Sequence, residues 1–260
     1  MTILDEINAN KFKEIELAKA KVSIDELQSS ALFDRKCISF RDAILNKSGI
    51  IAEFKRKSPS KGTINGDAIP SDVAVGYQDA GVSAISCLTD KDYFGGNFHD
   101  LKSIRSAVEL PILRKDFMLD EYQLFEAKSI GADIILLIAS SLSVPKTKDL
   151  AKCAKDMGLN VLLEIHADHE LEHINQYCDV IGVNNRNLKN FEVSTNVSKG
   201  LANQIPDEFV KISESGISNI EAIKDLKTYG YRGFLIGENF MKTNNPGHAC
   251  QEFINQLGED

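Results

Sequence analysis

The sequence contains no CxxC pair, and none of its apolar runs approaches the roughly 20 residues of a membrane-spanning helix. Its five cysteines are widely scattered, at Cys37, Cys87, Cys153, Cys178 and Cys250. This spacing indicates neither a disulfide framework nor a thiolate metal site, and it fits a reducing compartment. The first 21 residues are charged throughout and lack the apolar core of a signal peptide. We therefore expect a cytoplasmic protein.

Positive charge is also scarce, with 30 Lys and Arg against 38 Asp and Glu, which gives a net charge of −8 at pH 7. This acidic balance disfavours nucleic acid or an anionic membrane as a partner. The composition, 43% hydrophobic and 26% charged, is that of an ordinary globular protein. On this background the basic residues of segment 55–61 form a local feature that needs its own explanation.

From residue 49 onward, short aliphatic runs alternate with amphipathic stretches. The eight runs span 49–55, 83–89, 111–117, 133–140, 160–167, 180–185, 209–216 and 233–238. This alternation predicts parallel strands joined by helices, and the continuous apolar character predicts strands covered on both faces. Eight units in about 210 residues predict an α/β fold of the (β/α)8 TIM barrel type, with a doubly wound open sheet as the alternative.

The domain organisation follows from the same pattern. No low-complexity linker divides the chain, so we expect one domain over residues 1–260. Within it, residues 1–48 would be an N-terminal helical extension of one or two amphipathic helices packed on the barrel. Residues 49–260 would hold the eight βα units.

Polar residues recur where the apolar runs end. They are Glu53, Lys55, Lys115, Glu164, Asn184, Arg186, Glu214, Ser215, Gly237 and Glu238. The carboxyl ends of barrel strands meet at one mouth, where such enzymes place their chemistry. Incidental salt bridges at a solvated rim are the alternative, but charges in buried strands are costly and here they recur in strand after strand.

The loops after the last two strands carry a second signal. "SESGIS" (213–218) and "LIGENF" (235–240) each place a glycine, Gly216 and Gly237, just before a predicted helix. In barrels these two loops commonly hold a phosphate on backbone N–H groups, which glycine lets approach closely.

One motif suggests metal chemistry. "HELEH" (169–173) matches the HExxH pattern of zinc peptidases. It would lie outside the predicted mouth, and no third ligand follows at the required spacing. We interpret it as a solvated helix face and predict neither a metal nor a cofactor.

Several of these segments together closely resemble the indole-3-glycerol phosphate synthase family, essentially over the full length. The motifs are "IIAEFKRKSPSKG", "YFGG", "PILRKDF", "GADIILLIAS", "LLEIH", "IGVNNRNL", "SESGIS" and "LIGE". The resemblance implies a (β/α)8 enzyme of tryptophan biosynthesis that acts on 1-(2-carboxyphenylamino)-1-deoxyribulose 5-phosphate. It would close the indole ring and release carbon dioxide and water.

The resemblance also implies catalytic roles. Lys115 would be the general acid at the C2′ carbonyl, Glu164 the base or acid partner in dehydration, and Glu53 the carboxylate that holds a catalytic ammonium. Lys55 would reach the phosphate or sugar oxygens, or serve as the acid in dehydration. Asn184 would orient the substrate. Glu214 and Ser215 would lie near Asn184.

Substrate contacts follow from the same resemblance. Lys57 and Ser58 would bind the anthranilate carboxylate, and Arg186 would also contact the substrate. The aromatic ring would be sandwiched by Phe94, Phe117 and Leu136. The phosphate pocket would be lined by Gly216, Gly237 and Glu238. Some members of the family have Ser at the last position, so backbone amides would have to bind the phosphate here.

Segment 55–61 would then be a loop over a doubly anionic substrate. Pro59 restricts Ser58 to extended geometry, and Gly62 lets the loop bend. We predict that this loop is mobile when the site is empty and becomes ordered on binding, as catalytic lids do.

Two other functions fit the sequence less well. Phosphoribosylanthranilate isomerase would be expected to show a Cys/Asp pair at the mouth, and the first strand has no Cys. A non-catalytic ligand-binding or assembly barrel would be expected to have lost Lys115, Glu164 or Glu53, and all three are present. We expect a monomer acting on a small-molecule substrate.

Overall fold

The eight apolar runs form the strands of a closed barrel. The computed structural model describes residues 2–188 and 191–258. Its strands are β1 Ile50–Phe54, β2 Lys57–Ser58, β3 Gly62–Thr63, β4 Ala84–Leu88, β5 Ile112–Lys115, β6 Ile134–Ile138, β7 Asn160–Ile165, β8 Val180–Asn184, β9 Val210–Glu214 and β10 Tyr231–Ile236. Strands β1 and β4 to β10 pair in parallel around the barrel, and β1 closes it by pairing with both β4 and β10. This confirms the (β/α)8 barrel, and the doubly wound alternative is wrong.

Helices connect the strands on the outside. Their bounds are α1 Ile3–Lys19, α2 Ile24–Gln28, α3 Phe40–Asn46, α4 Pro70–Asp79, α5 Phe98–Ala107, α6 Tyr122–Ser129, α7 Val144–Asp156, α8 Asn196–Leu201, α9 Ile220–Thr228, α10 Glu238–Met241 and α11 Pro246–Gly258. After β7 the connection is a 3₁₀ helix, Asp168–His173, and a shorter 3₁₀ helix, Ala139–Ser141, precedes α7. Within the described residues, no helix combines the length and the apolar character needed to cross a bilayer.

Helix α7 shows how the local sequence sets these elements. The Ser143 side chain accepts a hydrogen bond from the Lys146 N–H, and Pro145 occupies the first turn, where its missing N–H costs nothing. The residues that α7 buries lie on one stripe, Thr147, Leu150, Ala151 and Ala154. Gly158, with φ of +76°, takes the left-handed conformation that ends the helix.

The interior of the barrel is apolar at its amino end and charged at its carboxyl end. Every second side chain of a strand points into the barrel. The apolar ones form one cluster, Ile51, Ala84, Leu113, Ile134, Leu136, Ile138, Leu162, Val180, Val210, Ile212 and Leu235. Phe40 and Ile44 of α3 belong to the same cluster, and the Phe40 N–H donates to the side chain of Asn160 at the start of β7. Helix α3 therefore closes the amino end of the barrel.

Residues 2–48 form three helices, so the expectation of one or two helices is wrong. Helix α2 has only five residues, too few to show a helical period in the sequence, and it depends on a capping box formed by Ser23 and Glu26. Helix α1 lies across the carboxyl end of the barrel. Its buried Lys11 forms ion pairs with Asp90 at 2.9 Å and with Asp116 at 3.0 Å.

Candidate active site

A cavity of about 630 Å³ opens at the carboxyl ends of the barrel strands. Every predicted site residue except Lys57 lines it: Glu53, Lys55, Ser58, Phe94, Lys115, Phe117, Leu136, Glu164, Asn184, Arg186, Glu214, Ser215, Gly216, Gly237 and Glu238. The parallel strands bring these residues together because all their carboxyl ends point to the same mouth.

Lys115 lies at the centre of the charged layer, at the end of β5. Its ammonium is 2.7 Å from Glu164 Oε2 on β7 and 2.5 Å from Glu214 Oε2 on β9. Asn184 donates a hydrogen bond of 3.1 Å to the other oxygen of Glu164. Glu164 and Glu214 are buried and the Lys115 side chain is 14% exposed. The three residues come from three different strands, so the barrel itself sets their geometry.

A second ion pair lies at the end of β1. The Lys55 ammonium is 2.7 Å from Glu53 Oε1, and the Ser86 hydroxyl is 3.4 Å from Glu53 Oε2. A Cβ atom at Gly237 would lie 2.6 Å from Glu53 Oε1, so the glycine leaves room for this carboxylate. The ammonium groups of Lys55 and Lys115 and the carboxylates of Glu53, Glu164 and Glu214 thus share one confined part of the mouth.

The two carboxylates that contact Lys115 titrate differently. For Glu214, burial is the main cause that raises its pKa, to about 7, and the nearby negative charge of Glu164 adds to the effect. For Glu164, burial acts in the same direction, but the charges of Lys115 and His166 outweigh burial and hold its pKa well below the usual range. Glu164 is therefore ionised at neutral pH, whereas Glu214 is poised between its two forms.

The pKa of Lys115 is raised. Burial would lower the pKa of the ammonium, but the surrounding carboxylates, first Glu164 and then Glu214, outweigh burial. The sequence alone does not show whether the pKa of Lys115 is raised or lowered. In the empty site the lysine is a firmly protonated cation.

An apolar slot lies beside the charged layer. The rings of Phe94 and Phe117 have their centroids 6.2 Å apart at an angle of 39°. Leu136 and Ile138 of β6 also line the cavity. This part of the cavity can accept a planar aromatic group next to the Lys115 ammonium.

The loops after β9 and β10 form the opposite end of the cavity. Ser215 and Gly216 have φ of +66° and +76°, and a Cβ atom at Gly216 would clash with the Val193 side chain. Strained left-handed backbone at a non-glycine residue is concentrated at functional sites. At this end of the cavity the Lys61 ammonium lies 3.7 Å from Glu238 Oε1, and its positive charge partly offsets that carboxylate.

The structure places Lys57 apart from the other predicted residues. Lys57 is outside the cavity lining, and its ammonium donates a hydrogen bond of 2.7 Å to the Asp92 carbonyl. It belongs to the antiparallel pair of β2 and β3, in which Ser58 faces Gly62. Ser58 lines the cavity while Lys57 points away from it, because neighbouring strand residues face opposite sides. Carboxylate binding by Lys57 stays a prediction.

Sequence reasoning missed part of the cavity wall. Ile3, Leu4 and Ile7 of α1 line it, as do Leu188 and Phe191 after β8. The apolar spacing of residues 3, 4 and 7 predicts an amphipathic helix but says nothing about where the helix docks.

The expectation that "HELEH" is a solvated helix face is wrong for two of its residues. In the 3₁₀ helix, Glu170 and His173 are buried, and only 5% of Glu170 is exposed. His173 Nδ1 lies 2.8 Å from the Thr147 hydroxyl, whereas the His169 side chain is 78% exposed. The two imidazoles therefore do not converge. Across residues 2–188 and 191–258, no group of three or more His, Cys, Asp or Glu side chains is arranged to hold a metal ion.

Comparisons with known proteins show the family. A family model described as indole-3-glycerol phosphate synthase matches residues 4–253. The protein of that name from Bacteroides thetaiotaomicron is 49% identical over 256 residues, covering 98% of each chain, and that from Chromobacterium violaceum is 41% identical, covering 97% of each.

Among solved structures, the chain is similar to one from the tryptophan synthase complex of Pyrococcus furiosus. The TM-score is 0.60 at 17% identity, covering 81% of this chain and 98% of that one. It is also similar to N-acetylmannosamine-6-phosphate 2-epimerase from Clostridium perfringens, with a TM-score of 0.59 at 17% identity, covering 85% and 97%. These two likenesses show the barrel fold alone. The family match and the identities over nearly the whole length confirm what the motifs indicated: the chain belongs to the indole-3-glycerol phosphate synthase family.

Proposed function

We propose that this chain converts 1-(2-carboxyphenylamino)-1-deoxyribulose 5-phosphate to indole-3-glycerol phosphate, as a carboxy-lyase of tryptophan biosynthesis. The observation that carries the proposal is the contact of one ammonium, Lys115, with two carboxylates, Glu164 and Glu214, at the barrel mouth. The reaction needs proton donors and acceptors beside an aromatic slot, and the cavity contains both.

Lys115 acts as the acid in ring closure. As the ring carbon that carries the carboxylate bonds to C2′, the ketone oxygen gains negative charge and takes a proton from the Lys115 ammonium. The carboxylate then leaves as carbon dioxide, and the electrons of its broken bond return to the ring. Because the pKa of Lys115 is raised, transfer becomes favourable only as that charge develops. Glu214, with a pKa of about 7 and an oxygen 2.5 Å from Lys115, can then return a proton to the lysine.

Glu164 acts as the base. It is held ionised at neutral pH, which suits a group that accepts the proton lost during dehydration. The leaving hydroxyl takes its proton from Lys55 or from Lys115, and both line the cavity. Glu53, 2.7 Å from Lys55, holds that ammonium in place, and Asn184 orients Glu164 towards the substrate.

The substrate's aromatic ring lies in the slot of Phe94, Phe117 and Leu136. Its carboxylate meets Ser58 and Arg186, and Lys57 joins them if the β2–β3 hairpin turns inward on binding. The doubly anionic substrate explains why a basic segment occurs on an acidic chain.

The phosphate binds at the loops after β9 and β10, where backbone N–H groups of Ser215, Gly216, Gly237 and Glu238 are available. The cationic side chains of Lys61 and Lys242, which line the same end of the cavity, offset the carboxylate of Glu238.

Indole fluorescence formed from the carboxyphenylamino sugar phosphate tests the proposal. Native protein should produce it, and Lys115→Met should lower kcat by about 100-fold or more, because general acid catalysis contributes on that order. Lys102→Met, which removes an exposed ammonium from α5, is the matched control and should match native. Turnover by Lys115→Met within a few-fold of native would refute the assignment of the acid. A native protein without activity would favour a non-catalytic barrel.

We also propose that the protein acts as a monomer in the cytoplasm and that residues 1–260 form one domain. Lys115, Glu164 and Glu214 meet within one barrel, which supports a complete charged centre in each copy. Sedimentation at working concentration should therefore show a species near 28.7 kDa.

A further inference from the structure

His166 lies behind Glu164 and has no part in the steps described above. It follows β7 by one residue, and the period of the strand places it on the same inward face as Glu164. Its Nε2 atom is 3.3 Å from Glu164 Oε1, and its side chain is 12% exposed. It does not line the cavity, so it meets the substrate only through Glu164.

A second carboxylate, Glu170, lies on the other side of the imidazole. Glu170 Oε2 is 3.5 Å from His166 Nδ1 and also accepts the His166 backbone N–H at 2.5 Å. Glu170 belongs to the "HELEH" segment, and the 3₁₀ helix turns its side chain into the protein. The motif therefore supplies a buried carboxylate that faces His166 in place of a metal ligand.

The four groups alternate in charge from the cavity inward: the ammonium of Lys115, the carboxylate of Glu164, the imidazole of His166 and the carboxylate of Glu170. Both imidazole nitrogens are buried, and neither makes a well-aligned hydrogen bond within the described residues. Their nearest acidic groups are the two carboxylates. A buried ring between two negative charges is stabilised in its protonated form.

Two carboxylates among the titratable groups around His166 favour its protonated form. Burial lowers the pKa of His166, but Glu164 from β7 and Glu170 from the 3₁₀ helix outweigh burial and raise it to about 9. His169 and His173, on the same 3₁₀ helix, interact with Glu170, and Lys115 interacts with Glu164.

We propose that His166, held by Glu170, is a positioning residue that fixes the orientation of the Glu164 carboxylate and keeps it ionised. The inference rests on the proposed function, in which Glu164 is the base. A cation fixed behind the carboxylate keeps the negative charge in place while the Lys115 proton moves. Without it, Glu164 would take up a proton more readily and would be held by Lys115 and Asn184 alone among the groups named here.

Kinetics of His166→Gln test the inference, because glutamine keeps a polar side chain and removes the positive charge. We expect kcat at neutral pH to fall about tenfold, because the Glu164 carboxylate is less well oriented, and KM to stay within about twofold. The acidic limb of the kcat profile should move to higher pH, because Glu164 must then be ionised without its neighbouring cation. Glu170→Gln should also lower kcat and move the acidic limb to higher pH, but by less than His166→Gln. His99→Gln, at an exposed site on α5, is the control and should match native.

A titration of the native protein by NMR needs no substrate. The His166 imidazole signal, assigned by its loss in the His166→Gln spectrum, should titrate at about pH 9, above the ordinary range of an imidazole. If native protein forms no indole product, the proposed function fails. If native protein is active but His166→Gln keeps its kcat and pH profile, or if His166 titrates within the ordinary imidazole range, this inference fails alone.

Discussion

The Lys115 ammonium lies 2.5 Å from one oxygen of Glu214, and the other oxygen of that carboxylate has no hydrogen-bond partner within the described residues. Glu164, the second carboxylate on Lys115, has Asn184 and His166 at its remaining oxygen. The difference in partners explains why Glu214 retains a proton near neutral pH and Glu164 does not. Two side chains of the same chemical type thereby take different parts in proton transfer.

Replacing Glu214 by Gln should remove the group that returns the proton to Lys115. We expect kcat at pH 7 to fall about tenfold or more. In native protein, kcat should decline as pH rises through about 7, where Glu214 loses its proton, and the variant should lack this decline. A kcat–pH profile of both proteins measures the effect. Glu208→Gln removes an exposed carboxylate and is the control.

Stability gives an independent check on Glu214. Its pKa is about 7 in the folded protein against an ordinary value of 4.5, so the folded state binds the proton more tightly than the unfolded chain. This contribution to the free energy of unfolding is fully present below pH 4.5 and is lost as pH rises to about 7. Denaturant unfolding across this range should show the loss in native protein relative to Glu214→Gln. Parallel curves would contradict the raised pKa.

Gly182→Ala should disturb the same carboxylate without contacting the substrate. A Cβ atom at this position of β8 would clash with Glu214 Oε1 and lie 3.1 Å from Leu162. Because a carboxylate at the end of a flexible side chain can rotate away, the protein should fold, but the contact with Lys115 should be lost. We expect kcat to fall about tenfold, with a melting temperature close to native.

Gly200→Ala is the matched control for that substitution. A Cβ atom at Gly200 in α8 has no neighbour within 4 Å, and alanine is favoured over glycine inside a helix. Its kcat should equal that of native. Equal kcat values for Gly182→Ala and Gly200→Ala would show that the position of the Glu214 carboxylate has no bearing on turnover.

The β2–β3 hairpin should become protected when a ligand binds. Its ladder is two residue pairs long, and it carries Ser58 over the mouth. Short surface elements of this kind open at low free energy. Hydrogen exchange at residues 57–63 should slow with indole-3-glycerol phosphate present, whereas exchange in β7 should not change. Equal protection of 57–63 with and without the ligand would count against a lid.

Lys11→Met should destabilise the protein by about 3–5 kcal/mol, because it removes the cation beside the buried Asp90 carboxylate, while Asp116 keeps its ion pair with Arg114. If residues 1–48 and the barrel form one domain, calorimetry should show one shifted transition. Lys13→Met, at an exposed position of α1, should change the free energy of unfolding by less than about 0.5 kcal/mol. Separate transitions would indicate that the N-terminal helices unfold independently.

Much of the site could be predicted before the structure was known. Glu53, Lys115, Glu164 and Glu214 each end an apolar run, and in a parallel barrel the strand ends must converge. The side to which the Lys57 side chain points could not be predicted in this way, because it depends on a two-residue strand with almost no pattern of its own. The burial of Glu170 was missed for a similar reason, since a 3₁₀ helix replaces the expected α-helix.

The sequence by itself determined the barrel, the end of each strand and the residue types at the mouth. These follow from periods of two and 3.6 residues and from local chain geometry, all of which act over short distances along the chain. Only the tertiary structure decided that Glu164 is ionised at neutral pH while Glu214 is poised between its two forms, and that α1 completes the cavity wall. Those outcomes depend on burial and on charges brought together from distant segments, such as Lys11 with Asp90 and His166 with Glu170. Because such energies vary steeply with distance and solvent exposure, the order of residues does not specify them.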